Sequence, residues 1–388
     1  MTRCFLNSMS MISALGADTS DVKNRLLSGL PKLVFSQKYH SAGNALPIAL
    51  VQEALAPIPL DDQKWHSRNN QLAWTAAQSI LPDIQALIST FGKDRIGIVI
   101  GTSTSGISDN EHDMHINAQS GALPDSYHYG KQEMGAPASF LGAALGVCGP
   151  VFGVSTACSS GAKALASARR LIRSGVCDAV IAGGVDTLCK LTVQGFSSLE
   201  AISEEQCNPF SVNRKGINIG EAAALFIISK DKSDIELVGV GESSDAHHIS
   251  APDPSGQGAI RCMTAALKDA NITPDKIHYL NLHGTATQLN DQMEAKAVAE
   301  VFGNNTPCSS TKPFTGHTLG AAGALEAAIC WLALKEGFIP KHLWDGRHDD
   351  SLPSIGLSEG EQNCTLQYAL SNSFAFGGNN ISLILRKV

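Results

Sequence analysis

Residues 151–175 read VFGVSTACSSGAKALASARRLIRSG, and the rest of the chain is organised around this stretch. Its apolar start, with Val151 and Phe152, predicts a short buried strand. The helical spacing that follows, up to Gly175, predicts a helix with a small-residue face. Cys158 lies in the turn between them, where free N–H groups and the helix dipole favour a thiolate. A structural cysteine is the alternative, since most cysteines are structural.

The composition is typical of a globular protein with a large core. The chain has 388 residues, 43% of them hydrophobic and 17% charged, which is enough for two domains. A net charge of −7 argues against nucleic-acid binding. No apolar run is long enough for a membrane span, so we expect no membrane partner. Ten cysteines without a CxxC pair, and a polar N-terminus, predict reduced thiols in a cytoplasmic protein.

Predicted strands and helices alternate in two series, separated by the polar residues 230–234. The first series has strands near 95–101, 178–184 and 222–229 and helices near 69–80 and 134–145. The second has strands near 235–240 and 277–282, helices near 258–270, 291–302 and 316–336, and a closing hairpin. We therefore expect two similar α/β halves, 1–232 and 233–388, with mostly parallel sheets. Pseudo-symmetry should relate the helix after Cys158 to the one at 316–336, and residues 31–65 and 102–121 should be largely irregular.

Three reactive side chains recur at the ends of predicted elements. His283 follows a strand in LNLHGTAT, and His317 precedes a helix in TKPFTGHTLGAAG. An imidazole near Cys158 can act as a base or donate to an oxyanion. Each histidine alone fits a satisfied turn residue, whereas the three together favour one shared site. Lys312 is either a surface residue or, if buried beside carboxylates such as Glu294, an organiser of charge.

Metal binding is not expected from this sequence. His112 and His115 have ligand spacing, but no third ligand accompanies them. Surface histidines are therefore the better interpretation.

Four ordered motifs carry a family resemblance: TACSSG, HGTAT followed by Asp291 and Glu294, KPFTGHTLGAAG, and NSFAFGGNN. The chain resembles the β-ketoacyl-acyl carrier protein synthases, elongating condensing enzymes of the thiolase superfamily, over nearly its whole length. The resemblance implies a thiolase-like α/β fold, with two duplicated βαβαβ halves in layers αβαβα. It also implies no cofactor, an acyl carrier protein as partner, and a homodimer or a heterodimer with a chain-length-factor-like homologue.

The resemblance implies a decarboxylative Claisen condensation that elongates a chain by two carbons. Cys158 would take the acyl chain from the carrier protein as a thioester. His283 and His317 would assist decarboxylation of malonyl-carrier protein and stabilise the enolate, which attacks the acyl group. Lys312, together with Glu294, would hold the histidine network.

Further roles follow from the same resemblance. The N–H groups of Cys158 and Phe376 would form the oxyanion hole. Thr285 and Thr287 would bind the pantetheine arm, and Phe374 with Phe376 would gate the acyl pocket. Together these groups would line the substrate-binding pocket around Cys158.

Departures from the family pattern indicate a specialised synthase. Ala375 stands in the closing loop where glycine is usual, and Thr104 stands where the family often bounds the acyl pocket. The type suggested is an aryl-polyene ketosynthase. Lys64, Arg68 and Lys131 are candidates for a basic patch that docks an acidic carrier protein.

Three other interpretations compete with an elongating synthase. A thiolase would carry a second cysteine in the closing loop, and residues 374–380 have none. Initiating synthases pair one histidine with an asparagine, unlike the pattern here. A non-catalytic chain-length factor would lack the nucleophile, whereas Cys158 is present, although such a protein remains a possible partner.

Overall fold

The fold is described from a computed structural model, which covers residues 2–40, 43 and 45–388. The strands are β1 (Phe5–Ile12), β2 (Val34–Ser36), β3 (Leu46–Ile48), β4 (Ile96–Gly101), β5 (Val151–Val154), β6 (Ala179–Asp186), β7 (Ala222–Ser229), β8 (Ile235–Ser244), β9 (Tyr279–Asn281), β10 (Cys308–Ser309), β11 (Phe338–Ile339), β12 (Glu361–Gln362), β13 (Tyr368–Ala375) and β14 (Asn379–Lys387). The helices are α1 (Thr19–Ser28), α2 (Arg68–Ser79), α3 (Leu81–Phe91), α4 (Ile107–Ser120), α5 (Ala136–Leu145), α6 (Ser160–Arg173), α7 (Lys190–Ser198), α8 (Gln257–Ala270), α9 (Gln288–Phe302), α10 (Lys312–Thr315) and α11 (Ala322–Glu336).

Ten strands form one sheet whose order repeats about its centre. The order is β10-β9-β13-β14-β8-β1-β7-β6-β4-β5. The two series of strands have the same order when each is followed outward from the centre: β1-β7-β6-β4-β5 on one side and β8-β14-β13-β9-β10 on the other. The strand directions also match, since β4, β5 and β6 are mutually parallel like β9, β10 and β13, and the inner two strands of each series are antiparallel. The expected duplication of two α/β halves is confirmed. The expectation of mostly parallel sheets is wrong, because β7 and β14 each run antiparallel to both of their neighbours.

The two five-stranded halves of the sheet are joined at its centre by the single residue pair of Phe5 and Glu236, and helices lie between and outside these two halves. The central pair, α6 and α11, packs against strands of both series, whereas α2 and α5 lie outside the first series and α8 and α9 outside the second. Every residue of α11 from Ala322 to Leu334 is buried, as expected for a helix enclosed on all sides. α6 follows β5, and α11 follows β10 after the single turn of α10, so α6 and α11 occupy equivalent places in the two halves. This arrangement is the thiolase-like αβαβα fold.

The two central helices approach each other closely at a glycine. A Cβ atom on Gly161 of α6 would lie 2.8 Å from the amide nitrogen of Ala324 of α11, closer than real side chains allow. Gly161 therefore permits the N-terminal ends of α6 and α11 to meet. The turns that precede these two ends carry Cys158 and His317, so this contact brings the two halves of the site together.

Several local predictions were wrong. Residues 107–120, predicted as irregular, form α4, whose buried residues Asn110 and Asp113 are polar and hide its helical pattern. The helix expected from residue 316 begins only at Ala322, because His317 belongs to the preceding turn. Within 31–65, β2 and β3 form a short two-stranded ladder. No helix in the described part of the chain has the length and apolar character needed to cross a bilayer.

Candidate active site

Cys158 lies in a tight turn between β5 and α6, as the sequence predicts, although the expectation of a buried strand is wrong because β5 lies at the edge of the sheet and is partly exposed. Ala157, the residue before it, has a positive φ of 52°, an uncommon conformation for a side-chain-bearing residue. Ser160 secures the turn, because its hydroxyl accepts from the Thr156 N–H at 2.8 Å and donates to the Ala157 carbonyl at 2.6 Å. The side chains around the turn are small, so they leave the sulfur open to a cavity. That cavity has a volume of about 690 Å³.

The structure brings the three predicted reactive side chains together at one wall of this cavity. The Nε2 atom of His317 lies 3.0 Å from the Sγ atom of Cys158. The rings of His283 and His317 are 5.5 Å apart and nearly perpendicular, at 84°. All three side chains line the cavity and are buried. Residues far apart in sequence therefore form one constellation of a thiol and two imidazoles.

Lys312 is buried and faces the histidines. Its Nζ contacts the His283 carbonyl, lies 3.4 Å from His283 Nδ1, and forms an ion pair with Glu326. An ammonium group has only donors, so Nδ1 accepts and the ring proton of His283 lies on Nε2. Glu326 was not predicted from the sequence. The feature that could have indicated its role is that it is the one carboxylate among the buried, otherwise apolar residues 322–334 of α11.

Glu294 holds a loop, whereas the expected pairing with Lys312 is made by Glu326. The Glu294 carboxylate accepts from the His283 N–H at 2.8 Å and from the Gly284 N–H at 2.7 Å. Asp291 acts similarly, because it accepts from the N–H groups of two residues, Phe210 and Ala286. Burial raises the pKa of Glu294 to about 7 and that of Asp291 to about 6, while these donors oppose the shift. The two carboxylates fix the HGTAT loop that carries His283.

Burial dominates the electrostatics of the thiol. It raises the pKa of Cys158 to about 12, although the Lys312 charge and the Phe376 N–H oppose this shift. The expectation of a depressed thiol pKa at the helix N-terminus is therefore wrong, because desolvation of the thiolate outweighs the favourable groups. Burial, and then the Lys312 charge, lower the pKa of His283 and His317 well below 6.5. The resting site holds a neutral thiol beside two neutral imidazoles.

The predicted binding residues line the same cavity. The hydroxyls of Thr285 and Thr287 are 2.9 Å apart, and the Phe374 ring packs edge-on against His283 with the centroids 6.2 Å apart. The Phe376 backbone N–H points at the Cys158 thiol. Sequence reasoning missed Phe196 on α7, whose ring lies 5.5 Å from the Phe376 ring. α7 has no capping residue of its own, which removed the usual sequence signal.

Four residues lie differently from what was expected. Thr104 bonds to Asp186 and is not among the described residues that line the cavity. Lys131 is buried, with its Nζ 2.9 Å from the Ser126 carbonyl oxygen. Arg68 is paired with the buried Glu221 carboxylate, and the half-buried Lys64 lies 3.1 Å from an Asp62 carboxylate oxygen. These lysine and arginine side chains therefore do not form the basic patch that was predicted.

The donor atoms of Cys158, His283 and His317 lie within 4.8 Å of one another, a set that zinc can use. A zinc-binding imidazole, however, must present an unprotonated nitrogen to the ion. Because Lys312 occupies Nδ1 of His283, the Nε2 atom that faces the cavity carries the proton. The cluster is therefore arranged to donate hydrogen bonds to a substrate oxygen.

A duplicated thiolase-like fold with a cysteine and two histidines at the junction of its halves defines a condensing enzyme. A family model described as "Beta-ketoacyl synthase, N-terminal domain" matches residues 5–233, and one described as "Beta-ketoacyl synthase, C-terminal domain" matches residues 235–344. The chain belongs to the β-ketoacyl synthase family and is a condensing acyltransferase.

Curated relatives and solved structures agree with this assignment. The chain is 34% identical to a 3-oxoacyl-[acyl-carrier-protein] synthase 2 of Synechocystis, with 80% of each chain covered. It is 30% identical to the synthase 2 of Coxiella burnetii, with 100% of this chain and 99% of the relative covered. A ketosynthase (ApeO) solved in complex with its chain length factor (ApeC) from Xenorhabdus doucetiae is 42% identical, with a TM-score of 0.95 and coverage of 100% and 98%.

Replacing Lys312 should change how stability depends on pH. Its charge lowers the pKa of His283, His317, Glu294 and Glu326. In Lys312→Met the pKa values of these four groups rise, so the folded variant binds more protons below neutral pH than the folded natural protein does. As the pH is lowered, the variant should therefore lose less stability than the natural protein. Melting temperatures from about pH 8 to about pH 5.5 measure this effect.

Lys312→Arg is the matched control, because it keeps the positive charge at this position. Its melting temperature should follow the pH dependence of the natural protein. A methionine variant with that same dependence would show that the Lys312 charge does not set these pKa values.

Proposed function

We propose that this condensing enzyme elongates an acyl chain held on Cys158, using malonyl-carrier protein as the two-carbon donor. The observation that carries the proposal is the contact between the Cys158 sulfur and His317, with His283 oriented beside it by Lys312. This arrangement offers one nucleophile and two hydrogen-bond donors to a shared cavity. It fits a reaction in which a thioester and an enolate must meet.

In the first half-reaction, Cys158 attacks the acyl-carrier thioester. The carbon–sulfur bond to Cys158 forms, the bond to the pantetheine sulfur breaks, and the thiol proton ends on that departing sulfur. The N–H groups of Cys158 and Phe376 stabilise the oxyanion that develops on the carbonyl oxygen. Thr285 and Thr287, on the cavity wall, bind the pantetheine arm while Phe374 and Phe376 flank the chain.

In the second half-reaction, malonyl-carrier protein enters the same cavity. Loss of carbon dioxide leaves an enolate whose oxygen accepts from His283 Nε2–H and from His317. The enolate carbon attacks the acyl carbon on Cys158, and the sulfur leaves as a thiolate that takes a proton from solvent. Glu294 and Lys312 keep His283 in place during both steps.

The repeated strand order supports a division into two halves. The first series of strands ends with β7 and the second begins with β8, and residues 230–234 connect them. We therefore assign residues 1–232 to the half with Cys158. Residues 233–388 form the half that carries His283 and His317. We place the reaction in the cytoplasm, in keeping with ten cysteines that are all free thiols.

A second subunit is part of the proposal. β5 is an outer strand of the sheet, and no strand in the described part of the chain pairs with its outer edge, where Phe152 is 39% exposed. Such an edge invites pairing with another chain. The ketosynthases of two similar solved structures are paired with chain length factors. We therefore propose a heterodimer with a chain-length-factor-like homologue, or a homodimer, that receives chains from an acyl carrier protein.

The acyl chain is proposed to be a conjugated, aryl-polyene-type chain. Support comes from the departures in the closing loop and from the rings of Phe196, Phe374 and Phe376, which line the cavity. Flat aromatic faces pack well on a planar chain. The alternative, a non-catalytic subunit of such a heterodimer, is disfavoured by the complete set of Cys158, His283, His317 and Lys312.

Cys158→Ala and His317→Ala should separate the two half-reactions. Cys158→Ala removes the only sulfur in the cavity lining described here, so no acyl-enzyme should form, while decarboxylation of malonyl-carrier protein persists. His317→Ala should retain acylation but lose decarboxylation, because the enolate oxygen loses a donor. Intact-protein mass and carbon dioxide release measure the two steps. Full condensation by Cys158→Ala would refute the mechanism.

Substrate preference tests the proposed chain. Saturated and conjugated acyl-carrier thioesters of equal length should be compared in single-turnover extension. We expect faster extension of the conjugated chain, because its planar form loses less conformational freedom on entering the cavity. A clear preference for long saturated chains would exclude the aryl-polyene assignment without affecting the condensing chemistry.

A charge on the β5 edge should weaken assembly. Phe152→Asp places a carboxylate on the exposed edge, where it would be desolvated by a pairing strand. Native mass spectrometry should show a shift from dimer to monomer. Tyr129→Asp is the control, since Tyr129 is also exposed but lies outside the edge strand. An unchanged dimer in Phe152→Asp would place the interface elsewhere.

A further inference from the structure

Asp186, the last residue of β6, is fully buried and is surrounded by hydrogen-bond donors. Its carboxylate accepts from the Thr102 hydroxyl at 2.5 Å, the Ser103 N–H at 2.9 Å, and both the N–H and the hydroxyl of Thr104 at 2.9 and 2.8 Å. A fifth donor is the Gly320 N–H at 2.5 Å. Two separate segments of the chain, residues 102–104 and Gly320, thus converge on one carboxylate.

Two of these donors lead directly to the reacting residues. The Ser103 hydroxyl donates to the Ala157 carbonyl at 3.2 Å, so Ser103 links Asp186 to the turn that presents Cys158. Gly320 lies three residues after His317 and closes the turn that presents the imidazole. A Cβ atom on Gly320 would lie 2.6 Å from the Ser103 nitrogen and 2.7 Å from Asp186 Oδ2. The carboxylate therefore lies between the two turns.

We infer that Asp186 is a positioning residue that sets the separation between the sulfur of Cys158 and the imidazole of His317. The two turns belong to different halves of the fold, and the carboxylate connects them through Ser103 and Gly320. On its other side the His317 backbone is held by residues 218–220. The inference rests on the roles proposed above for Cys158 and His317.

This separation matters for carbon–carbon bond formation. The acyl carbon is attached to the sulfur, and the enolate oxygen is held by the imidazole, so their spacing sets the distance of attack. Misplacement of reacting groups by about 1 Å costs on the order of 100-fold in rate. The acylation step uses only the sulfur and an oxyanion hole, so it depends less on His317. A positioning role therefore predicts a larger loss in condensation than in acylation.

The charge of Asp186 supplies a second, independent readout. The charged groups that act on the thiol are Lys312, which lowers the pKa of Cys158, and Glu326 and Asp186, which raise it. His283 and His317, the remaining titratable neighbours, are neutral. Removing the negative charge of Asp186 should therefore make the thiol ionise at lower pH.

The test compares three variants in the full-length protein. Asp186→Asn turns one acceptor oxygen into a donor that faces the N–H groups of Ser103 and Gly320. Gly320→Ala disturbs the same contact without changing the charge. Asp178→Asn is the matched control, because Asp178 precedes β6 at its opposite end and pairs with Arg95 and Lys230 near the surface.

For Asp186→Asn we expect kcat of condensation to fall roughly 10- to 100-fold, the effect of losing a buried hydrogen bond to a charged group. KM for the carrier substrate and the acylation rate should change little. The pH profile of iodoacetamide alkylation of Cys158 should move to lower pH. In Gly320→Ala the kcat should fall without that movement, and Asp178→Asn should match the natural protein within about twofold.

Two outcomes would overturn the inference. One is an Asp186→Asn variant whose condensation kcat and alkylation profile match those of Asp178→Asn. The other is an equal loss of acylation and condensation, together with a lower melting temperature and an unmoved alkylation profile, which would show a merely structural role. Failure of the natural protein to form an acyl-enzyme at Cys158 would instead contradict the proposed function itself.

Discussion

The buried ammonium group of Lys312 is the charge on which the active site depends. It contacts the backbone and the ring of His283, and its counter-ion is Glu326, which lies in the otherwise apolar buried part of α11, residues 322–334. A buried carboxylate or ammonium without its partner costs several kcal/mol, so the pair is maintained as a unit. Because an ammonium only donates, it also fixes which nitrogen of His283 carries the proton. One ion pair thus determines both the orientation and the tautomer of an imidazole.

Neutrality of the resting site follows from the same burial. Desolvation disfavours the thiolate of Cys158 and the imidazolium forms of His283 and His317, so none of the three is charged before substrate arrives. Negative charge then develops only on substrate oxygens and on the sulfur as bonds change. At those moments the N–H groups and the Lys312 charge are already in place, which is the condition for effective electrostatic catalysis.

The sequence predicted the duplication and the convergence of Cys158, His283 and His317, because each residue lies in a Gly- or Thr-rich turn next to a strong apolar element. Glu326 and Asp186 were missed, because each is a single acidic residue within or at the end of an apolar run. The donors to Asp186 are distant in sequence, and Lys312, the partner of Glu326, lies in a different helix, α10. α7 was missed for a related reason: its first N–H groups are capped by Glu111 of α4. The thiol pKa was predicted with the wrong sign because the helix N-terminus was considered without the desolvation.

Duplication gives this site a geometric constraint that a single domain would not have. Cys158 comes from one half and both histidines from the other, so their spacing depends on contacts between halves, among them the close approach at Gly161 and the carboxylate of Asp186. The strand that leads to the nucleophile, β5, ends only four residues before Cys158 and is the outermost strand at one side of the sheet. A subunit that pairs with β5 would restrain the strand that carries the sulfur. Pairing at β5 would therefore link assembly to the position of the nucleophile through the same short segment.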